Sequence, residues 1–193
     1  QRIVSGAISA KIGTNDRLFS NMTNLPSEIR KLAKIRDSKF KSADLKNSQM
    51  LMIGKWIEKG IREGNIGKEG KGDISAYYDF INLANSGKIY EHLLENSDLE
   101  TRDEAKVGMF QALFSGFKKM GKAKRILEDL FPGLVRELDS QKEKNGDSAF
   151  LANEMQFMES GIFVKRILHT LLAAGHDVYS CHDSIYFLEC DEE

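Results

Sequence analysis

Apolar residues recur with a helical period through most of the chain and with a two-residue period only toward its two ends. Near the start, Ile3-Val4-Ser5-Gly6-Ala7-Ile8 alternates like a strand, whereas Thr14-Asn15-Asp16 and Asn21-Met22-Thr23-Asn24 read as loops. Ser27 to Arg36 is predicted as a short helix behind Pro26, and Lys39-Phe40-Lys41-Ser42-Ala43 as a strand running into Asp44. From Ser48 to Arg62 the apolar positions Leu51, Ile53, Trp56, Ile57 and Ile61 take up helical spacing. A glycine-rich loop over residues 64–72 follows. Further helices are predicted from Ile74 to Asn85 behind Asp73, from Ile89 to Glu95, and from Arg102 to Phe117, the last opened by Thr101 with Glu104 three residues on, a capping-box signature. Pro132 starts another helix that ends near Asn145-Gly146, and a long one runs from Ser148 to Ala174 and stops at Gly175. Val178-Tyr179-Ser180-Cys181 and Ile185-Tyr186-Phe187-Leu188 then read as two strands around His182-Asp183-Ser184. The expected fold class is α+β, a small antiparallel sheet interrupted by a helical insertion.

The chain has 193 residues, enough for one large domain or two small subdomains. Its 28 basic and 29 acidic side chains nearly cancel, so no global field announces a nucleic-acid or membrane partner. Local clusters stand out instead: Arg30 to Arg36 and Lys118 to Arg125 are basic, and Glu189 to Glu193 is acidic. Cys181 and Cys190 flank the predicted hairpin without a CxxC spacing, so a reduced, cytoplasmic chain is expected, although on paired strands the two would be neighbours. No apolar run approaches the ~18–20 residues of a membrane span and no signal-peptide pattern is present, so no membrane partner is expected. The start at Gln1 and the acidic end suggest a piece of a longer protein.

Asp44 closes one predicted strand and Asp183 lies between two others. If the three strands share a sheet, the two carboxylates face each other at its surface. Hard oxygen ligands of that kind suit Mg²⁺, which takes one or two carboxylates plus substrate phosphates; two such ions stabilise both the attacking and the leaving oxygen of a phosphoryl displacement. Taken singly, each aspartate is more often a turn or hairpin-loop residue than a metal ligand. Arg102, Lys106, Phe110 and Phe114 recur every four residues and share one helix stripe, where neighbouring cations repel unless an anion lies between them. Phe110 and Phe114 would offer a flat surface to a sugar or base. The plainer alternative makes the phenylalanines core and the cations a solvated edge screened by Asp103 and Glu104.

These pieces together resemble the A family of nucleic-acid polymerases, the bacterial DNA polymerase I type and its phage relatives. Thr14-Asn15-Asp16-Arg17-Leu18-Phe19-Ser20, Asn24-Leu25-Pro26 and Ile29-Arg30 are similar to the family's TGRLSS…NLQNIP…IR segment. Ser42-Ala43-Asp44-Leu45-Lys46-Asn47-Ser48-Gln49 resembles motif A, SADYSQ. Arg102, Lys106, Phe110 and Phe114 with Gly116 resemble motif B, RxxxKxxxFxxxYG, and His182-Asp183-Ser184 resembles motif C, HDE in the DNA enzymes and HDS in phage single-subunit RNA polymerases. Phe131-Pro132-Gly133-Leu134 looks like the family's YPG helix start, and Asn153 to Arg166 is similar to its NAPMQG helix with a one-residue change of spacing.

The resemblance implies a palm whose small antiparallel sheet carries the HDS hairpin and is backed by helices, with a reduced helical fingers insertion: residues 1–47 palm, 48–147 fingers and connecting helices, 148–193 palm again. It implies a DNA-directed DNA polymerase acting on a primer-template and nucleoside triphosphates. Asp44 and Asp183, with the Leu45 carbonyl, would hold two Mg²⁺ ions or Mn²⁺ in their place. Arg102 and Lys106 would bind the triphosphate, Phe110 its sugar and base, and Phe114 would stand beside the template base. Arg17, His182 and Gln156 would contact nucleic acid. Motif A carries an additional residue before its glutamine and Phe114 replaces a tyrosine, so the choice of sugar is open, with deoxynucleotides favoured. No thumb is visible, and weak, salt-dependent binding of primer-template is expected. An RNA polymerase or primase of the same ancestry, a two-metal nuclease and a catalytically silent binding module are the rivals. Glu159 is a third acid near the metals or, as favoured, a partner for Lys165 or Arg166; Trp56 is expected to be core, and Lys118, Lys119, Lys122, Lys124 and Arg125 to form a solvated face or a phosphate track.

Overall fold

The computed structural model describes residues 9–35, 37–67 and 73–189, so the predicted strand at Ile3 to Ile8, Cys190 and most of the acidic tail lie outside the described residues, as do positions 68–72 of the glycine-rich loop. The chain divides into two compact units, one made of Gln1–Lys46 and Gln156–Glu193 and the other of Asn47–Met155. Small antiparallel sheets and a series of helices make it α+β.

In the first unit, β1 (Ala10–Ile12) and β2 (Leu18–Ser20) form an antiparallel hairpin. Its turn is closed by hydrogen bonds from Gly13 N to Arg17 O and from Asp16 N to Gly13 O, with Asp16 at φ 57°. The loop at Thr14 to Asp16 is therefore a hairpin tip. A four-stranded antiparallel sheet has the order β3-β4-β6-β5: β3 (Lys34–Ile35), β4 (Ser38–Asp44), β5 (Val178–Cys181) and β6 (Ser184–Leu188). The helix predicted over Ser27 to Arg36 stops early. Helix α1 covers only Ser27–Arg30, after which Leu32 N bonds to Ile29 O, and Lys34–Ile35 pairs back on β4.

The sheet is tied by aromatic rows. Tyr179 and Tyr186 are opposite one another and stack at 4.6 Å and 9°. Phe40 meets Tyr179 edge-on at 5.0 Å, and the Arg30 guanidinium lies 5.7 Å from the Tyr186 ring centre. Such stacked and cationic contacts add roughly 0.5–1.5 kcal/mol each beyond area burial.

The second unit is helical: α2 (Ser48–Glu63), α3 (Ile74–Ser86), α4 (Ile89–Glu95), α5 (Arg102–Phe114), α6 (Lys122–Leu130) and α7 (Leu134–Lys144). Helix α8 (Phe150–Ile162) contains the unit boundary and passes into a π-helical stretch, Phe163–Leu168, before α9 (His169–Ala173). Asp73 accepts from Ser75 N and Thr101 from Glu104 N, so both predicted caps operate. Tyr77, Phe80, Ile53 and Met109 are fully buried, Phe80 meeting Phe131 edge-on at 5.3 Å. Trp56 is only half-buried and packs edge-on against Phe150.

Helix α6 was hidden from the periodicity because five of its nine residues are charged; only Leu127 and the Lys124 stem turn fully inward. Lys124 and Lys142 are both buried and share Asp139, at 2.5 Å and 3.1 Å. Their ammonium groups also donate to Gly116 O and Ser115 O, each at 2.8 Å. These bonds explain why α5 ends at Phe114 and not at Phe117, since the carbonyls just past it are claimed by lysines and Ser115 turns extended. Burial pushes the Lys142 ammonium below its ordinary pKa, with Asp139 opposing and the neighbouring Lys124 charge adding to the fall.

At the end of α2 the chain folds back so that Asn65 N and Ile66 N both bond to Gly60 O, at 2.7 and 3.1 Å. A Cβ at Gly60 would fall 2.5 Å from Ile66 Cδ1 and 2.8 Å from Cγ1. Glycine to alanine inside a helix ordinarily stabilises by about 1 kcal/mol. Gly60→Ala is expected to do the reverse, lowering stability by roughly 1–3 kcal/mol through overpacking against Ile66, measured by urea unfolding. Gly60→Ala combined with Ile66→Val should recover part of the loss.

Candidate functional site

The predicted site residues fall into two sets, one in each unit. In the first unit, β4 runs antiparallel to β6 in a register that sets Ser42 opposite Tyr186, Ala43 opposite Ile185 and Asp44 opposite Ser184. The pairing reaches one residue further, Leu45 N donating to Asp183 O at 3.3 Å. Asp44 at the end of β4 and Asp183 in the β5–β6 turn are therefore neighbours across adjacent strands. Ser42, Ala43 and Asp44 are exposed and Asp183 is half-buried, so this end of the sheet is open to solvent. No group of three or more His, Cys, Asp or Glu side chains arranged for a metal occurs among the described residues. The donors that the sequence resemblance implies, two carboxylates and the Leu45 carbonyl, are all hard oxygens, the ligand class that magnesium takes beside water and phosphate.

The turn itself is tight. Cys181 pairs with Ser184, which leaves His182 and Asp183 as its two central residues, and His182 sits at φ 55°. Two-residue hairpins favour turns with a left-handed first residue because their twist matches the strands, and glycine is the usual occupant. Here an imidazole takes that place. Desolvation, followed by the nearby Arg17 charge, lowers the His182 pKa below its ordinary value, with Asp183 opposing. The Cys181 thiol, buried under the hairpin, is pushed up by the same desolvation.

Arg17 stands at the β1–β2 tip, where its Nη2 forms two bonds to the Glu159 carboxylate, at 2.8 and 3.0 Å. Glu159 is 2% exposed and Arg17 is 23% exposed. The sequence expectation that Glu159 pairs with Lys165 or Arg166 is thus corrected: Lys165 bonds instead to Asp16 at 2.6 Å. Gln156 accepts from Asn15 Nδ2 at 2.6 Å, and Ser160 donates to Asn15 O. The hairpin tip that resembles the segment before motif A is thereby clamped along one side of α8 and the π-helical stretch. Arg17 Nε, Arg30 Nε and the Tyr179 hydroxyl are buried without a hydrogen-bond partner. Sequence reasoning missed this clamp because its partners lie about 140 positions apart, and no local spacing signals a contact of that range.

In the second unit, Lys106, Phe110 and Phe114 line an open pocket on α5, a cavity of about 650 Å³, together with Asp103, Val107 and Gln111. The two phenylalanine rings are 5.5 Å apart and inclined by 56°, both half-buried. Arg102 is not among the lining residues. It turns back on α4, donating to Glu91 at 3.2 Å and to Asn47 Oδ1 at 3.3 Å, with its guanidinium 5.0 Å from the Tyr90 ring centre. The lining therefore carries one cation and one carboxylate. Among the described residues no helix is long and apolar enough to cross a membrane.

Two outcomes follow for the first unit. Arg17→Ala removes the guanidinium from a buried carboxylate and is expected to cost about 3 kcal/mol in denaturant unfolding, most of it restored by adding Glu159→Gln. Lowered in the fold, the His182 pKa makes the unfolded chain the better proton acceptor below its own pKa. Its contribution is present above about pH 6.5 and lost as the pH falls through the folded value. Urea midpoints should therefore drop between pH 7.5 and pH 5, and His182→Gln should flatten that slope.

No protein-family profile, no curated protein and no solved structure matches the chain, so the geometry of these two sites stands without a relative beside it.

Proposed function

We propose that the protein performs template-directed nucleotidyl transfer, attack of a primer 3′-hydroxyl on the α-phosphate of a deoxynucleoside triphosphate with departure of pyrophosphate. The observation that carries it is the β4–β6 register, which makes neighbours of two acids whose motif contexts resemble a polymerase palm. Asp44, Asp183 and the Leu45 carbonyl are the residues for two Mg²⁺ ions. When bound, those ions would supply stabilisation of charge on the attacking and leaving oxygens.

The chain's own residues do the remaining work. Asp44 and Asp183 hold negative charge at an exposed sheet end, so divalent cations gather there and the approaching phosphates find their charge offset. His182, whose pKa is lowered by desolvation and by the Arg17 charge, can in its neutral form donate from one ring nitrogen and accept at the other. On α5, Lys106 would take the triphosphate and Phe110 and Phe114 the sugar and base, a reading supported by the pocket that these three side chains line within the helical unit. Arg102 would have to exchange Glu91 and Asn47 for phosphate, a small cost because that ion pair is exposed on both sides.

The second possibility is a polymerase-like binding module without turnover, favoured by that engagement of Arg102 and by Asp103 in the pocket lining. The two are separated by extension of a primed DNA template with Mg²⁺ or Mn²⁺ and either deoxy- or ribonucleotides. Asp44→Asn and Asp183→Asn are each expected to lower extension by about a thousandfold, with the exposed Asp44→Asn leaving the unfolding midpoint nearly unchanged. A protein that shows no extension, and no Mn²⁺ uptake that depends on Asp44, is the binding module.

A further inference from the structure

Beside α5, in the helical unit, lies a second cavity of about 550 Å³ whose wall is dominated by lysine: Lys118, Lys119, Lys122 and Lys124, with Gly121 and Ser148. Three features of this wall favour a negative charge inside it. The first is the buried Lys124–Asp139–Lys142 group. Two ammonium groups, 2% and 0% exposed, share one carboxylate, and the other partners are the uncharged carbonyls of Gly116 and Ser115. The group as a whole carries one net positive charge where water screens poorly, and Lys124 is its member that lines the cavity. The second is the start of α6. Its N-cap is Gly121, which has no side chain to accept from the first turn, and no acidic residue occupies that turn, which carries Lys122 and Lys124. A helix N-terminus is positive, so cations there are disfavoured and anions are favoured. The third is the pair Lys118 and Lys119 on the α5–α6 loop: both are exposed, and no hydrogen bond or ion pair engages either among the described residues.

Space is available for the missing charge. A Cβ added at Gly121 would meet nothing within 4 Å, so the backbone amides at the α6 start are approachable, and the Ser148 hydroxyl lies over Gly116, 3.6 Å from where a Cβ there would sit. Asp98 neutralises Lys122 at the rim through an exposed bridge of 2.7 Å, which an anion can displace at little cost. Carboxylates do not line the cavity.

We infer that this lysine-walled cleft at the N-terminus of α6 is a binding site for a phosphate-class oxyanion, held by Lys118 and Lys119, the first-turn amides of α6 and the Ser148 hydroxyl, with Lys124 supplying the fixed buried charge. The site is separate from the Lys106-Phe110-Phe114 face, with which it shares only Gln111 and Ser115 of its lining. It does not depend on the nucleotidyl-transfer proposal, since it uses neither Asp44 nor Asp183.

The test uses the full chain without nucleotide or divalent metal. Inorganic phosphate and pyrophosphate are titrated at constant ionic strength against chloride, following the backbone amides of Gly121 to Lys124 by NMR and the heat by calorimetry. Saturable shifts at those amides are expected. Lys118→Gln with Lys119→Gln, both exposed and without folding consequence, should weaken binding about tenfold or more, whereas Lys55→Gln with Lys59→Gln on α2 should leave it unchanged. A short abasic deoxyribose-phosphate oligomer distinguishes the source. Binding that is tighter than pyrophosphate and falls off with salt marks a nucleic-acid backbone, and weaker binding marks a free phosphate or diphosphate. No saturable shift at Gly121 to Lys124, or equal affinity in the Lys118/Lys119 double variant, overturns the inference.

Discussion

The pairing of β4 with β6 is the constraint on which the first unit depends. Strand side chains alternate between faces, so a slip of one residue would carry every side chain of β4 to the other side. In this register Phe40, Ser42 and Asp44 share one face with Leu188, Tyr186 and Ser184, while Lys41 and Ala43 share the other with Phe187 and Ile185, and the row ends at Asp44. The same register brings Leu45 N onto Asp183 O and so fixes where the hairpin turn ends. Stacked Tyr179 and Tyr186, with Phe40 at the edge and Arg30 alongside, hold that register from the far strand. Chemistry proposed at the two acids rests on this row of aromatic contacts as much as on the carboxylates.

In the helical unit the corresponding constraint is electrostatic. Lys124 and Lys142 reach inward from α6 and α7 to one aspartate and to the two carbonyls that follow α5. The arrangement ends α5, starts the loop toward α6, and sets one net positive charge behind a cleft that Lys124 lines. Replacing such a group with apolar side chains often stabilises a protein, so its presence bears on specificity of packing or on a ligand. The lysine-lined cavity alongside favours the ligand.

Non-local polar contacts give both the clamp at the β1–β2 tip and its consequences for Arg17. An arginine aimed at a minor groove and an arginine bonded twice to a buried glutamate are different objects energetically. The second has its Nη2 committed to the Glu159 carboxylate within the fold. Arg102 differs in kind: its partners Glu91 and Asn47 are solvent-accessible, and exchange for phosphate is inexpensive.

Local chemistry in the sequence determined a good deal. The hairpin around His182-Asp183, the caps at Asp73 and Thr101, the strand ending on Asp44 and the helices beginning at Ser48, Ile74 and Ile89 follow from residues within a few positions of one another, where periodicity and capping operate. Tertiary structure decided the rest. The early stop of α1, the end of α5 at Phe114, helix α6 behind its run of lysines, and the pairing of Glu159 with Arg17 all depend on partners far along the chain or on which charges become buried. A sequence shows that a lysine is present; only the fold shows that its ammonium is out of water, and the cost of that desolvation is what turns an ordinary basic cluster into a candidate site.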